Sequence, residues 1–224
     1  MSRLLRFIPG LTLYEVDTWT SEHFYQCGQF VAKMDLSLQT FKHPGERKQR
    51  PIRIGHKCFP SGFENRNSIW YLSSIPDVKD FTFAITDPER RRLAEEIIQA
   101  FSDTVKPVES QLEKAIIHGD FNEQNILCRE DPEDSGKYRW GNRKNSEMGE
   151  YFSFTDRIHS VIDFGDSNYN PLVYELAISI MYMMTRCSVM SPSLAGGHVI
   201  AGYISHRQLT ALERRLVRVC VASR

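Results

Sequence analysis

The 224-residue chain lacks the cysteine spacing of a stapled or zinc-bound fold. Its five cysteines, Cys27, Cys58, Cys128, Cys187 and Cys220, are odd in number, and no CxxC pair occurs. A disulfide framework and a cysteine zinc site are excluded as organising features, and reduced thiols of a cytosolic protein are the simpler reading. Long hydrophobic runs are missing too. The most apolar segment, Leu176–Met184, lies between Glu175 and Arg186, far short of the roughly 20 residues that cross a bilayer. The apolar patch at the start of the chain contains Pro9 and Gly10 and meets Asp17 before a signal-like core develops. There is no excess of either charge, with 28 Lys+Arg against 28 Asp+Glu. That balance argues against a dedicated nucleic-acid binder and against an acidic disordered chain. Finally, no GxGxxG or GxxxxGK[ST] phosphate loop occurs anywhere.

What is present is a globular composition, 41% hydrophobic and 11% aromatic, sufficient for a buried core in one large domain or two small ones. The pattern is mostly helical. From Ser21 to Phe41, Cys27, Val31, Met34, Leu38 and Phe41 recur at steps of three and four, which predicts an amphipathic helix. Asp87-Pro88 supplies an N-cap and a first-turn proline. Leu93, Ile97, Phe101 and Val105 then form the expected buried stripe, and Pro107 should end the helix. Pro171–Met184 is apolar on nearly every side and should be central in the core. Within it, Tyr174 and Tyr182 and the methionines read as packing. A last helix should begin near Gln208, with Leu209, Leu212, Leu216 and Val219 facing inward. Short strands are expected at Arg3–Ile8, Ala115–His118, Asn125–Cys128 and Ser160–Phe164. Lys42–Lys57 is basic and reads as a solvated loop. Asp131–Phe154, with Gly136, Gly141 and Gly149, reads as a long polar excursion, and Gly196-Gly197-His198 as a turn whose histidine is a weak acceptor contact.

Two segments carry residues suited to chemistry, HGDFNEQN at His118–Asn125 and VIDFGD at Val161–Asp166. Phosphoryl transfer needs a carboxylate that orients the acceptor hydroxyl and takes its proton. It also needs oxygen ligands for magnesium, which offsets the charge of the nucleotide phosphates. Asp120 at the start of a loop, Asn125 at its end and Asp163 at the end of a neighbouring strand have these types in this order. Gly119 permits a tight turn. His118 is expected to buttress the loop through a hydrogen bond to backbone or to the Asp163 region, not to transfer a proton. The competing reading makes Asp120 and Asn125 ordinary turn residues and Asp163 a strand-end cap. The combined pattern HxDxxxxN followed by hydrophobic-Asp-Phe-Gly favours the chemistry.

These motifs resemble the aminoglycoside phosphotransferase and choline kinase-like group, relatives of the protein kinases. LLRFIPG, VIDFGDSNYNPLVYELAISIMYMM and GGHVIAGY extend the likeness, most closely to the branch that acts on 5-hydroxy-L-lysine. The resemblance spans nearly the whole chain but only the C-terminal lobe of such a kinase. It implies an α+β, mostly helical lobe over residues 1–224, with a small β element carrying the catalytic loop. It further implies that the N-terminal lobe is absent, that 131–154 is an insertion and that the C-terminal end is short. Asp120 then corresponds to the catalytic base, Asn125 and Asp163 to Mg2+ ligands, and Arg6, Phe7 and Ile8 to the hinge that meets the nucleotide base of ATP or GTP. An acceptor with two ammonium groups calls for an acidic pocket, to which Asp166 and Glu175 are assigned. A loop cap for Asp166 and a buried core partner for Glu175 are the competing readings. The expected partner is a small-molecule hydroxyl acceptor in the cytoplasm, with no nucleic acid and no membrane. The upper lobe of such kinases carries a phosphate-covering loop and a strand lysine paired with a helix glutamate, so this chain alone is expected to be nearly inactive. The alternative is a non-catalytic, pseudokinase-like module that binds a small cation or a protein partner. The intact Asp120, Asn125 and Asp163 triplet favours the kinase.

Overall fold

The computed structural model describes residues 7–16, 19–41, 52–54, 57–59, 68–129 and 157–224. In chain order the elements are β1 (Leu11–Thr12), α1 (Ser21–Gln39), β2 (Ile52–Ile54), β3 (Lys57–Phe59), α2 (Ile75–Val78), α3 (Pro88–Thr104), β4 (Lys114–Ile117), β5 (Ile126–Arg129), β6 (Arg157–Val161), β7 (Asn168–Pro171), α4 (Leu172–Arg186), α5 (Pro192–Ile204) and α6 (Ala211–Ala222). The lobe is α+β and mostly helical, as the sequence pattern implies.

Helix α4 is the axis of the core. Nearly every side chain of its first three turns, from Leu172 to Ile180, is buried. One face of the helix joins a cluster with Phe24, Val31 and Phe121, through Leu176, Ile180 and Met183. The other joins a cluster with Phe101, Val105 and Ile117, through Leu172, Val173 and Ala177. Burial of each such side chain stabilises the fold by about 1.5–3 kcal/mol. Helix α1 contributes Cys27, Val31 and Met34 as expected and ends before Phe41, which is exposed. Helix α3 starts where Asp87-Pro88 predicts, with Asp87 Oδ1 accepting from the N–H groups of Glu89 and Arg90 at 2.9 and 3.0 Å. Its buried stripe matches the expected one at Phe101 and Val105, both fully buried, but departs from it in the first half of the helix. Leu93 is exposed, and Ile98 and Phe101 are buried. The N-terminal half of α3 lies on the short turns of residues 75–84 rather than on the core.

Gly196, Gly197 and His198 form no turn but lie inside α5. Ser191 caps the helix and Pro192 starts it, and Gly196 faces Met184 and Ile180, where a Cβ would sit only 3.0 Å from the Met184 sulfur. Close packing here outweighs glycine's poor helix propensity. The pairing of α1 with α5 is tighter still. A Cβ on Gly28 would lie 1.9 Å from the Val199 carbonyl oxygen, and one on Gly202 would lie 1.9 Å from that of Tyr25.

The strands form small antiparallel sheets: β1-β5-β6, β4-β7 and the hairpin β2-β3. The hairpin overlaps the end of the basic segment read as loop and runs past it, pairing Ile52 with Phe59 and Ile54 with Lys57. The strand expected at Arg3–Ile8 is not found over its described part. Phe7 and Ile8 are irregular, and the first strand is Leu11–Thr12, paired with Cys128 and Leu127. Strand β6 stops at Val161 rather than Phe164, because Asp163 takes a left-handed conformation (φ 63°) that no ladder accommodates. The excursion at Asp131–Phe154 lies outside the described residues.

Candidate active site

Sheet pairing brings the two motifs together. Residues 118–125 leave β4 and enter β5, and residues 162–167 leave β6 and enter β7. Since β5 pairs with β6 and β4 pairs with β7, both loops cross the same gap side by side. The backbone of one residue, Ile162, locks their relative position. The Ile162 N–H donates to the Asn125 carbonyl at 2.9 Å, and the Ile162 carbonyl lies 2.9 Å from His118 Nε2. His118 is fully buried, and its Nδ1 accepts from the Asp120 N–H at 3.3 Å. A carbonyl can only accept, so Nε2 carries a proton. It stands edge-on to Phe164, with centroids 4.8 Å apart.

Gly119 is required twice over. Its φ is +84°, and a Cβ there would lie 2.6 Å from the Asp166 carbonyl and 2.8 Å from Asn168 Nδ2. Its N–H donates to Glu175 Oε2 at 2.8 Å. Glu175 is fully buried, and its Oε1 has no partner among the described residues. Burial raises its carboxyl above the usual Glu range, partly offset by His118 and by the N–H groups of Gly119 and His118. The expected acceptor contact at Glu175 is therefore corrected: the side chain supports the loop from within the core, where a solute cannot reach it. Asp166 is exposed, and its backbone carbonyl accepts from Asn168 Nδ2 at 2.8 Å.

Asp120 is partly exposed at the surface of this pair of loops. Its Oδ2 accepts from Asn122 Nδ2 at 2.9 Å and Asn125 Nδ2 at 3.1 Å. Asn125 Nδ2 also holds the Asp120 carbonyl at 2.9 Å. Asn122 Oδ1 in turn accepts from the N–H groups of Gln124 and Asn125, which closes the loop as an Asx turn. With its nitrogen so used, Asn125 presents Oδ1 without a donor among the described residues. Asp163 caps the short turn that follows it, accepting at Oδ1 from the Gly165 N–H at 3.2 Å, and is exposed. Two hard oxygen groups are thus offered from loops locked through the backbone of one residue, the donor chemistry that suits magnesium. Among the described residues, no group of three or more His, Cys, Asp and Glu could hold a metal. A magnesium site completed by nucleotide phosphates and water does not need one.

Three further residues act here that the sequence reading did not single out for the site. Tyr182, read as packing, donates its hydroxyl to Asp120 Oδ1 at 3.0 Å, and Arg224 Nη2 lies 3.2 Å from the same oxygen. Glu123 is buried and meets Arg186 Nε at 2.6 Å, anchoring the back of the loop to the end of α4. Of the expected hinge residues, Arg6 lies outside the described residues. Phe7 is 83% exposed and Ile8 is at the surface.

No family model matches the sequence. The chain is similar to hydroxylysine kinase of Bos taurus, with 32% identity over 225 residues, and to that of Mus musculus, with 31% over 222 residues. Each alignment covers 99% of this chain and 50% of the relative. The chain thus spans about half the length of the curated relatives it matches. Among solved structures it resembles a microcompartment-associated aminopropanol kinase (TM-score 0.54, 15% identity, covering 90% of this chain and 51% of that one). It also resembles an amicoumacin kinase solved with AMP-PNP, Ca2+ and Ami (TM-score 0.53, 13% identity, covering 96% and 52%). An aminoglycoside-3'-phosphotransferase of type VIII is similar at TM-score 0.51 and 14% identity, covering 97% and 67%. The fold is that of the kinase-like aminoglycoside phosphotransferases.

Proposed function

We propose, from the likeness to half of a hydroxylysine kinase and from the two interlocked loops, that this chain carries the catalytic half of a small-molecule kinase. Its acceptor is a hydroxyl group on an amine or amino acid, 5-hydroxy-L-lysine most specifically, and its donor is ATP or GTP. The supporting observation is the backbone of Ile162, the residue before Asp163, whose N–H and carbonyl bind Asn125 and His118 on the loop that bears Asp120. In this reading Asp120 accepts the acceptor's O–H and takes its proton as the acceptor oxygen bonds to the γ-phosphorus. The bond from that phosphorus to the bridging oxygen breaks with its electron pair, leaving nucleoside diphosphate. Magnesium, when held by Asn125 and Asp163, neutralises phosphate charge. Phe7 and Ile8 face the solvent and are available to the nucleotide base, and Asp166 to an ammonium group of the acceptor. The free thiols of Cys27, Cys187 and Cys220 suit the cytosol, which we include in the proposal. Among the described residues no helix is long and apolar enough to cross a membrane.

A second reading, a non-catalytic module that binds a small cation or a protein, is favoured by one observation: Asp120 is ion-paired to Arg224. One experiment separates the two. The protein at its native length is assayed by product mass with ATP and GTP, with and without magnesium, against hydroxylysine, choline, ethanolamine and aminoglycosides. Magnesium-dependent phosphorylation of hydroxylysine is expected. Turnover of choline alone would sink the substrate assignment, and no turnover of any acceptor would sink the kinase reading. The 224-residue chain assayed by itself should stay near background, since it carries no glycine-rich phosphate loop.

A further inference from the structure

A carboxylate offers about four lone-pair positions, and all four on Asp120 are taken. Asn122 and Asn125 occupy Oδ2, at 2.9 and 3.1 Å, and Tyr182 and Arg224 occupy Oδ1, at 3.0 and 3.2 Å. An acceptor hydroxyl must donate to one of these oxygens before its proton can pass, so one donor has to leave. The asparagines are built into the loop: Asn125 also holds the Asp120 carbonyl, and Asn122 closes the turn. Tyr182 sits on α4, with its ring packed against both core clusters. Arg224 differs from all three. It follows the C-cap of α6, Ser223, and reaches Asp120 on a long side chain through the longest of the four contacts. Its remaining partners are the Trp70 carbonyl at 2.5 Å and the Tyr182 hydroxyl at 3.3 Å.

We propose that Arg224 holds the place on Asp120 Oδ1 that the acceptor's hydroxyl takes, and that Tyr182 is the fixed positioning residue for that oxygen. This deepens the kinase reading and rests on it. While Arg224 is in place, the charge of Asp120 is committed to a guanidinium, and its departure turns that charge toward the incoming O–H. An acceptor with an ammonium group beside its hydroxyl also replaces the positive charge that leaves. The exchange is then electrostatically even for amino alcohols and uphill for neutral alcohols.

The test uses Arg224→Gln, Arg224→Lys, Tyr182→Phe and Asp120→Asn in the protein at its native length. First, the side-chain 15N signal of Arg224, assigned by its loss in Arg224→Gln, should shift in Asp120→Asn and again when 5-hydroxy-L-lysine is added to the unaltered protein. Second, Arg224→Gln should lower the acceptor KM by about threefold or more, because no internal donor has to be displaced. Arg224→Lys should stay near the unaltered value. Tyr182→Phe should lower kcat about tenfold with little change in KM or thermal midpoint. An Arg224 signal indifferent to Asp120→Asn, or to bound acceptor, overturns the inference. So does a raised KM in Arg224→Gln, which would make the arginine an acceptor-binding group. An intact Arg224–Asp120 contact that responds to added acceptor, in a protein that phosphorylates nothing, would tell against the kinase reading and leave the place-holding contact standing.

Discussion

Asp120 carries the most consequence of any single residue. If it is the base, Asp120→Asn keeps the hydrogen-bonding shape but lowers kcat at least about 100-fold in the acceptor assay; near-normal turnover would remove it from that role. The motif HGDFNEQN made the loop legible, because its members are neighbours in sequence. Tyr182 and Arg224 were not legible, since they reach Asp120 across sequence separations of 62 and 104 residues and local pattern is blind to such contacts. The same is true of Asp35, fully buried on α1, whose Oδ2 accepts from the Tyr203 hydroxyl at 2.7 Å. Burial holds the Asp35 carboxyl well above the usual Asp range, with the charge of Glu175 adding to the rise and Tyr203 and Arg207 opposing it. A native value above the unfolded one means that the folded state binds the proton more tightly. The stability this contributes is complete below the unfolded value of about 4 and is lost as pH rises toward the native one. Asp35→Asn mimics the neutral form and lacks that slope. Urea midpoints taken from about pH 4 upward should therefore move in favour of the variant relative to the unaltered chain.

At the scale of elements, glycine separates packing from propensity. Gly28→Ala or Gly202→Ala drives a methyl into the facing helix's backbone, which cannot swing aside as a side chain can. Each should cost at least about 3 kcal/mol or prevent folding, measured by chemical denaturation. Gly197, also in α5, meets nothing within 4 Å at its Cβ position. Gly197→Ala should instead stabilise by about 0.5–1 kcal/mol. The contrast explains why the Gly196-Gly197-His198 segment was misread as a turn. Composition marks glycine as a breaker, and only the approach of α4 and α1 shows that it is there to admit neighbours. Helices α1 and α3 were readable because a 3.6-residue repeat and the Asp87-Pro88 start are local signals, and α4 because its run is apolar on nearly every side. The orientation of α3 was not, since which half of it meets the core depends on the turns of residues 75–84.

For the molecule as a whole, α4 decides how it comes apart. Leu172 belongs to one core cluster and Leu176 to the other, a little over one helical turn away. Truncating either to alanine should cost about 2–5 kcal/mol and shift a single transition, with near- and far-ultraviolet circular dichroism coincident. Two separated transitions would show that the clusters melt independently. The described part of the site lies at the edge of this core, on two loops crossing between small sheets, and one residue there works against the stability of the rest. Asp163 is the one non-glycine residue with positive φ among those described, a conformation that costs an L-residue with a side chain about 1–2 kcal/mol. Asp163→Gly should relieve that cost, so its thermal midpoint should match or exceed that of the unaltered chain, while Asp163→Ala falls below both. A laboratory selection that rewarded heat resistance alone would thus accept the loss of the proposed metal ligand, and libraries built on this scaffold need a functional screen at position 163 to keep it.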